Sequence, residues 1–320
     1  MIDTKRRTIL TAMLALPAFA HSQSSWPSGT VTMVVPAPPG GSLDVIARLM
    51  QTGLQQRLGV TVIVENRGGA ATLMGGAVVA KAPRDGSKWL INADPQALNP
   101  SLRPNMQFDS KELEPVMKIG TTPNVLAAHP GSPYHTLADV LAAARKPEGV
   151  NFAVIADTIA YVAMLQLGKT AGARFVPVPY PGGAPAVNDA LGGHVPLIAG
   201  SAGLLANHLT SGKLRPVVQT GLKRHPGLPD VPTIAESGFP GFSGVAFWGI
   251  YAPSGTPIPI VNRFVADATA ALQEDAVRRR LEQSLMLELD IGGPAVFRPF
   301  YEEQVRMWGQ VIRENGLKGS

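Results

Sequence analysis

Short apolar runs alternate along the chain with longer segments whose apolar residues recur at helical spacing. Residues 30–35 form the first run, residues 36–41 interrupt it with Pro and Gly, and Ser42 opens a helix. On that helix Val45, Ile46, Leu49, Met50, Leu54 and Leu58 share one face. Residues 61–64 form a second strand, followed by a loop over 66–71 and a helix through Val78 and Val79 to Lys81, and residues 89–92 form a third. Strands alternating with helices of this length predict a parallel sheet covered on both faces.

The pattern then restarts. Strands are expected at 116–119 and 125–128, with the chain crossing between two lobes at Thr121, Thr122 and Pro123. Thr136 followed by Asp139 has the spacing of a capping box ahead of Val140, Leu141 and Ala144. Strands at 152–155, 175–178 and 195–199 alternate with helices at 161–169 and 185–191, the latter with Pro in its first turn. A further strand at 214–220 precedes a Pro- and Gly-rich return over 226–240, and a strand at 247–252 follows. The last 60 or so residues carry three helical stretches, the final one with Phe297, Phe300, Tyr301, Val305, Trp308 and Ile312 on one face, as core packing requires. The fold class is therefore α/β, two doubly wound lobes joined by a hinge. The first lobe is expected to be discontinuous, residues 21–122 and 236–320, and the second to span 123–235; a chain of this length exceeds one ordinary hydrophobic core.

Composition narrows the functional classes. Lys5, Arg6 and Arg7 precede an apolar run over 9–19 and the small residues Ala18 and Ala20, so residues 1–20 read as an export signal, whether ordinary or twin-arginine. That run is too short for a membrane span, which needs roughly 20 residues; a soluble periplasmic protein is expected. The net charge is +5, and without Asp3 and the three basic residues of the leader the remainder is nearly balanced. Arg278 to Arg280 is the one basic run and suits a solvated helix face, which argues against nucleic acid. There is no Cys, so disulfides, thiol catalysis and an N-terminal lipid anchor are excluded.

The segment Pro38, Pro39, Gly40, Gly41, Ser42, Leu43, Asp44 lies between a strand and a helix, where backbone N–H groups can meet an anion. Glycines permit close approach of a carboxylate, Ser42 can cap or donate, and Asp44 can complement the dipole or orient a bound polar group. The same residues also suit a tight turn with a capping serine.

A wider set of motifs then falls in one order: Trp26-Pro27, Val34-Val35-Pro36 with Pro39-Gly40-Gly41-Ser42 and Asp44, Val64-Glu65-Asn66-Arg67, and Ala80-Lys81-Ala82-Pro83 with Asp85-Gly86. Asn99-Pro100-Ser101-Leu102, Val178-Pro179-Tyr180, Ala184-Pro185-Ala186, Leu191-Gly192-Gly193, Leu228-Pro229-Asp230-Val231-Pro232-Thr233 and Ala252-Pro253 with Gly255-Thr256-Pro257 continue it. Over essentially the whole mature chain the sequence resembles the receptors of tripartite tricarboxylate transporters, the Bug family. The resemblance implies a periplasmic binding protein of the Venus-flytrap type, whose lobes close over a small carboxylate that is handed to the membrane subunits of the transporter. It implies a monomer with no cofactor and no metal. Carried over to this chain, the first-lobe carboxylate contacts fall on Gly40, Gly41, Ser42 and Asp44, with Pro39 beside them, and on Ala70, Ala71 and Thr72 in the second loop.

Two departures stand out. Gly69-Ala70-Ala71-Thr72-Leu73 replaces the usual Gly-Ala-Gly-Gly-Thr, narrowing the backbone cradle. The second-lobe Ser- and Gly-rich motif appears as residues 153–160 with Asp157 and Thr158 as its polar groups, followed by Tyr161. Asp157 is expected either to cap the next helix or to face the ligand. Facing the ligand, it would repel a second carboxylate and favour a monocarboxylate with a neutral or cationic far end, while Tyr161 stacks on or hydrogen-bonds a ring. Tyr180 either lines the cleft or packs under the turn at Pro181-Gly182-Gly183.

Enzyme readings fail on spacing. Gly168-Lys169-Thr170 lacks the first P-loop glycine, which is Ala163, and Ser201 misses the nucleophile-elbow pattern by one glycine. The histidines at 21, 129, 135, 194, 208 and 225 show no metal spacing. An effector-binding half of a transcription regulator would need a helix-turn-helix domain where the export signal stands. A periplasmic partner of a signalling protein uses the same closing lobes and stays open as an alternative.

Overall fold

The computed structural model describes residues 26–69 and 72–319; the expected leader lies outside them. The first half of the chain runs β1 (Val31–Val35), α1 (Ser42–Leu58), β2 (Val62–Asn66), α2 (Leu73–Ala80), β3 (Lys88–Ala93), α3 (Pro95–Leu102), β4 (Leu113–Thr122), β5 (Asn124–Ala128), α4 (Leu137–Ala144) and β6 (Val150–Ile155). It continues with α5 (Ile159–Ala171), β7 (Phe175–Tyr180), α6 (Gly183–Leu191), β8 (Leu197–Ser201), α7 (Ala202–Thr210) and β9 (Arg215–Gln219). The return supplies β10 (Ala246–Pro253), α8 (Ile258–Leu272), α9 (Asp275–Leu285), β11 (Glu288–Gly292) and α10 (Pro294–Glu314).

The strands form a six-stranded sheet, β11-β4-β10-β3-β1-β2, and a five-stranded sheet, β7-β6-β8-β5-β9. The parallel pairing expected from the strand-helix alternation holds for β1 with β2 and β3, and for β6 with β7 and β8. It does not hold elsewhere: β10 is antiparallel to both β3 and β4, and β5 to both β8 and β9, so each sheet is mixed. The reason is connectivity. Strands that carry the chain between lobes, or bring it back, enter a sheet without a crossover helix and so run against their neighbours. Helices α3 and α7, strand β11 and a one-turn 3-10 helix at Ser110–Glu112 appear beyond the elements expected.

Helix packing follows the sequence pattern. The apolar face of α1 buries Ile46, Ala47, Met50 and Leu54 in a core shared with β1, β3, β10 and α8. Its centre is an aromatic stack of Trp89 on Phe264, ring centroids 3.8 Å apart, with Trp26 edge-on to both. In the second lobe Thr136 and Asp139 form the capping box at the start of α4.

The lobes meet at the hinge and at several places beyond it. At the hinge, Asn124 donates its backbone N–H to Thr220 Oγ1 at 2.9 Å and its side-chain amide to Gly244 O at 2.7 Å, while the Thr220 hydroxyl also donates to Gly244 O at 2.7 Å. Asn124 and Thr220 are buried, so these bonds tie the outgoing and returning crossings side by side. Away from the hinge, one apolar cluster runs through Phe297, Tyr301 and Trp308 of α10 into Ile159, Ala163 and Met164 of α5. Asn315 Nδ2 donates to Gln166 Oε1 at 3.0 Å beside it, and the lobes are in contact.

Phe264→Ala removes one face of the Trp89 stack from a fully buried position and is expected to cost about 3–5 kcal/mol. Ile258→Ala, at a side chain 74% exposed, is expected to change stability by less than about 0.5 kcal/mol. Urea unfolding of the two variants checks both values.

Candidate functional site

The loop after β1 lies at the carboxyl end of a parallel strand, where open α/β sheets bind ligands. Pro39, Gly40 and Gly41 are exposed and Ser42 half-buried, and Gly41 is the N-cap of α1 with no side chain capping that end. The first-turn amides of α1 therefore have no side-chain partner of the usual kind. Gly40 has φ +88°, a left-handed conformation that other residues adopt only with strain. Ser42 Oγ accepts from Trp248 Nε1 at 3.3 Å, which leaves the Ser42 hydroxyl hydrogen to donate.

Asp44 holds this loop in shape. It is 3% exposed, and its carboxylate accepts from Gly40 N at 2.9 Å, Arg48 Nε at 3.0 Å and Asn66 Nδ2 at 3.0 Å. Asn66 Nδ2 also donates to Ala37 O at 3.1 Å, fastening the end of β2 to the same loop. Burial raises the Asp44 pKa, but the bonds from Arg48, Gly40 and Asn66 outweigh it and keep the carboxyl below its ordinary value. In this structure the Asp44 oxygens are engaged within the fold and hold the backbone of Gly40 in place. Arg48 was not singled out from the sequence, and Asn66 was noticed only as part of a motif.

In the second loop, Ala70 and Ala71 lie outside the described residues. Thr72 has φ +74°, and its Oγ1 accepts from Asn92 Nδ2 at 3.2 Å. Asn92 also donates to Gln96 Oε1 at 2.9 Å, so the hydroxyl at the start of α2 is fixed to the end of β3.

Across the cleft, Asp157 departs from expectation. It is 1% exposed with φ +59°, and it accepts from Arg103 of the first lobe, Nε at 3.1 Å and Nη2 at 2.5 Å. Asp157 is neither an open acid in the cleft nor the cap of α5: buried beside a guanidinium, its charge is met by the opposite lobe. The α5 N-cap is Thr158, whose Oγ1 accepts from Tyr161 N at 3.4 Å. Tyr161 is half-buried, and burial together with the charge of Asp157 pushes its hydroxyl pKa up. Tyr180 donates to Asp189 Oδ2 at 2.6 Å, and burial with this bond raises its pKa to about 12, so the hydroxyl is anchored on α6.

Asp94 belongs to the site region without having been expected from the sequence. It ends β3, and its Oδ2 accepts from the backbone N–H of Ile159 at 2.6 Å, at the start of α5 in the other lobe. Burial pushes its pKa up to about 7, with the Ile159 N–H opposing. The available signal was an acid between an apolar strand and Pro95.

The near-miss motifs resolve as structure. Lys169 sits in the last turn of α5 and donates to Glu314 O at 3.0 Å, and Ser201 caps α7 by accepting from Leu204 N at 3.3 Å. Among the described residues no group of three or more His, Cys, Asp or Glu could hold a metal ion, and no helix is long and apolar enough to cross a membrane. A cavity of about 570 Å³ lined by His135, Arg145 and Asp230 involves none of the expected site residues.

Asp94 gives the fold a pH signature. Its carboxyl binds a proton more tightly folded than unfolded, so its stabilising contribution is complete below about pH 4 and is lost as pH rises toward 7. A shift of about three units corresponds to roughly 4 kcal/mol. Tyr251 on β10, which faces it, and Tyr301 on α10, which faces Tyr251, have raised pKa values and stay neutral throughout. Relative to Asp94→Asn, the wild type is expected to lose melting temperature between pH 4 and pH 7 and to run parallel above that; parallel curves over the whole range would show that Asp94 does not titrate there.

Comparison with known proteins agrees with this architecture. Residues 46–317 match the family described as tripartite tricarboxylate transporter family receptor. A UPF0065 protein from the tcbD-tcbE intergenic region of Pseudomonas sp. (strain P51) is 33% identical over 316 residues, covering 98% of this chain and 94% of the relative. The periplasmic binding protein BugD superposes with TM-score 0.82 at 30% identity, over 92% of this chain and 99% of BugD. Rpa4515 of R. palustris, solved with adipate, superposes with TM-score 0.84 at 30% identity over the same shares. With its two α/β lobes and these relatives, the chain belongs to the tripartite tricarboxylate transporter receptor family, whose members are solute-binding receptors and not enzymes.

Proposed function

We propose that the protein is a periplasmic receptor that captures a small organic carboxylate between its lobes and delivers it to the membrane subunits of a tripartite tricarboxylate-type transporter. The observation that carries this reading is the exposed Pro39–Gly40–Gly41 loop leading to half-buried Ser42 at the start of α1, where no side chain caps the helix, held open by buried Asp44. Main-chain N–H groups and a hydroxyl hold an anion through neutral dipoles, which suits reversible capture. The solved relative with adipate and the periplasmic relative BugD support the ligand class and the compartment, and the export signal expected at 1–20 agrees with the compartment. Transfer to a membrane partner rests on family membership alone.

Thermal-shift and calorimetric screening of the processed protein against organic acids tests the reading. A bound acid at 100 times its Kd is expected to add about 2.7 kcal/mol of stability; melting curves unchanged across a broad panel would overturn it. Asn66→Ala, which frees the loop from β2, is expected to weaken binding roughly tenfold, about 1.4 kcal/mol. Gly40→Ala meets no neighbouring atom within 4 Å, so its expected cost of about 1–2 kcal/mol is backbone strain alone and appears in both stability and affinity.

A further inference from the structure

Helix α3 joins the first lobe to the start of α5 from both of its ends. Asp94 precedes it and Arg103 follows it; Asp94 reaches Ile159 N–H and Arg103 reaches Asp157, the residues on either side of the Thr158 cap. An Asp before a helix ordinarily turns its carboxylate back onto its own first turn. Asp94 does not: no side chain caps α3, although the Asp94 carbonyl accepts from Ala97 N at 2.9 Å. Its carboxylate instead takes the helix terminus of the opposite lobe. That terminus, on a helix of 13 residues, is a favourable place for negative charge, and here a carboxylate of the chain itself already sits on it.

We propose that Asp94 is a specificity-determining residue that denies the α5 terminus to a ligand carboxylate, so that the receptor selects acids with a single carboxylate and an uncharged or cationic far end. This rests on the carboxylate reading given above. An acid held by one end at α1 and directed across the cleft toward α5 meets, at the second lobe, an N–H already donated to Asp94, beside the closed Arg103–Asp157 ion pair. A second carboxylate there finds that donor taken and, at a pH where Asp94 is ionised, faces its negative charge, whereas a methyl, hydroxyl or amine end does not carry that penalty. Raising the Asp94 pKa toward neutrality leaves the argument intact, because the protonated side chain still occupies the same N–H.

The test uses two six-carbon probes that differ only in the far end, hexanoate and adipate, titrated calorimetrically at pH 8 into the wild type, Asp94→Ala and Asp94→Asn. The wild type is expected to bind hexanoate at least tenfold tighter than adipate. Asp94→Ala vacates the terminus and is expected to gain at least tenfold for adipate with less than threefold change for hexanoate. Asp94→Asn keeps size and an acceptor, and so provides a folded comparison in which only the charge is lost; its gain for adipate is expected to be smaller. Adipate binding the wild type as tightly as hexanoate, or a ratio unchanged in both variants, would overturn the proposal while leaving carboxylate capture standing. Failure of both probes and of a wider acid panel to bind any of the three proteins overturns carboxylate capture itself, and this proposal with it.

Discussion

A helix that follows a parallel strand starts with amide hydrogens pointing past the edge of the sheet, and something has to accept from them. In this protein the two sheets bring such edges together, as the reach of Asp94 from the end of β3 to the start of α5 shows. Each terminus is answered differently. Thr136 and Asp139 close α4 locally, Ser201 caps α7, and α5 receives both Thr158 and a carboxylate from the other lobe. The start of α1 receives no side chain, and its preceding loop is exposed. Other helices, α2 and α6 among them, also start without a side-chain cap; what sets the start of α1 apart is the exposed glycine loop before it, fastened from behind by Asp44.

The two buried acids show how depth and donor count together set charge. Neither Asp44 nor Asp94 is open to solvent, but Asp94 lies deeper among protein atoms, and their carboxyls are pushed in opposite directions. Asp44 receives a guanidinium, a backbone N–H and a side-chain amide, enough to overcome the loss of water. Asp94 receives the single N–H of Ile159 from outside its own residue, and burial prevails. The first is a permanent anion that shapes a loop, and the second is an acid whose charge depends on its surroundings.

Much of the fold was legible because local signals and the final structure agree. The apolar face of α1, the break at Pro36 to Gly41 and the capping box at Thr136 are read from neighbouring residues and appear as expected. Helix α3 was not legible: Pro95 and Pro100 make it a poor helix by propensity, and packing against α10 and β3 sustains it. Strand β11 is short and partly exposed, and α7 begins at a serine whose spacing suggested a failed catalytic motif. In the site, the exposed glycine loop was visible from composition, but the duties of Asp44 and Asp157 were not. Their partners Asn66 and Arg103 are distant in sequence, and nothing local announces an ion pair between lobes.

The hinge has a mechanical consequence. Asn124, Thr220 and Gly244 stitch the two connecting segments into one buried knot, so any rotation of the halves that keeps these bonds has its axis close to the knot. A rigid body turning about such an axis moves each point in proportion to its distance from it, so gripping groups separate while the knot keeps its bonds. The energy landscape for solute release is then shaped by groups at the rim, and the pivot serves as a passive bearing whose integrity sets how reproducibly the jaws realign after each cycle.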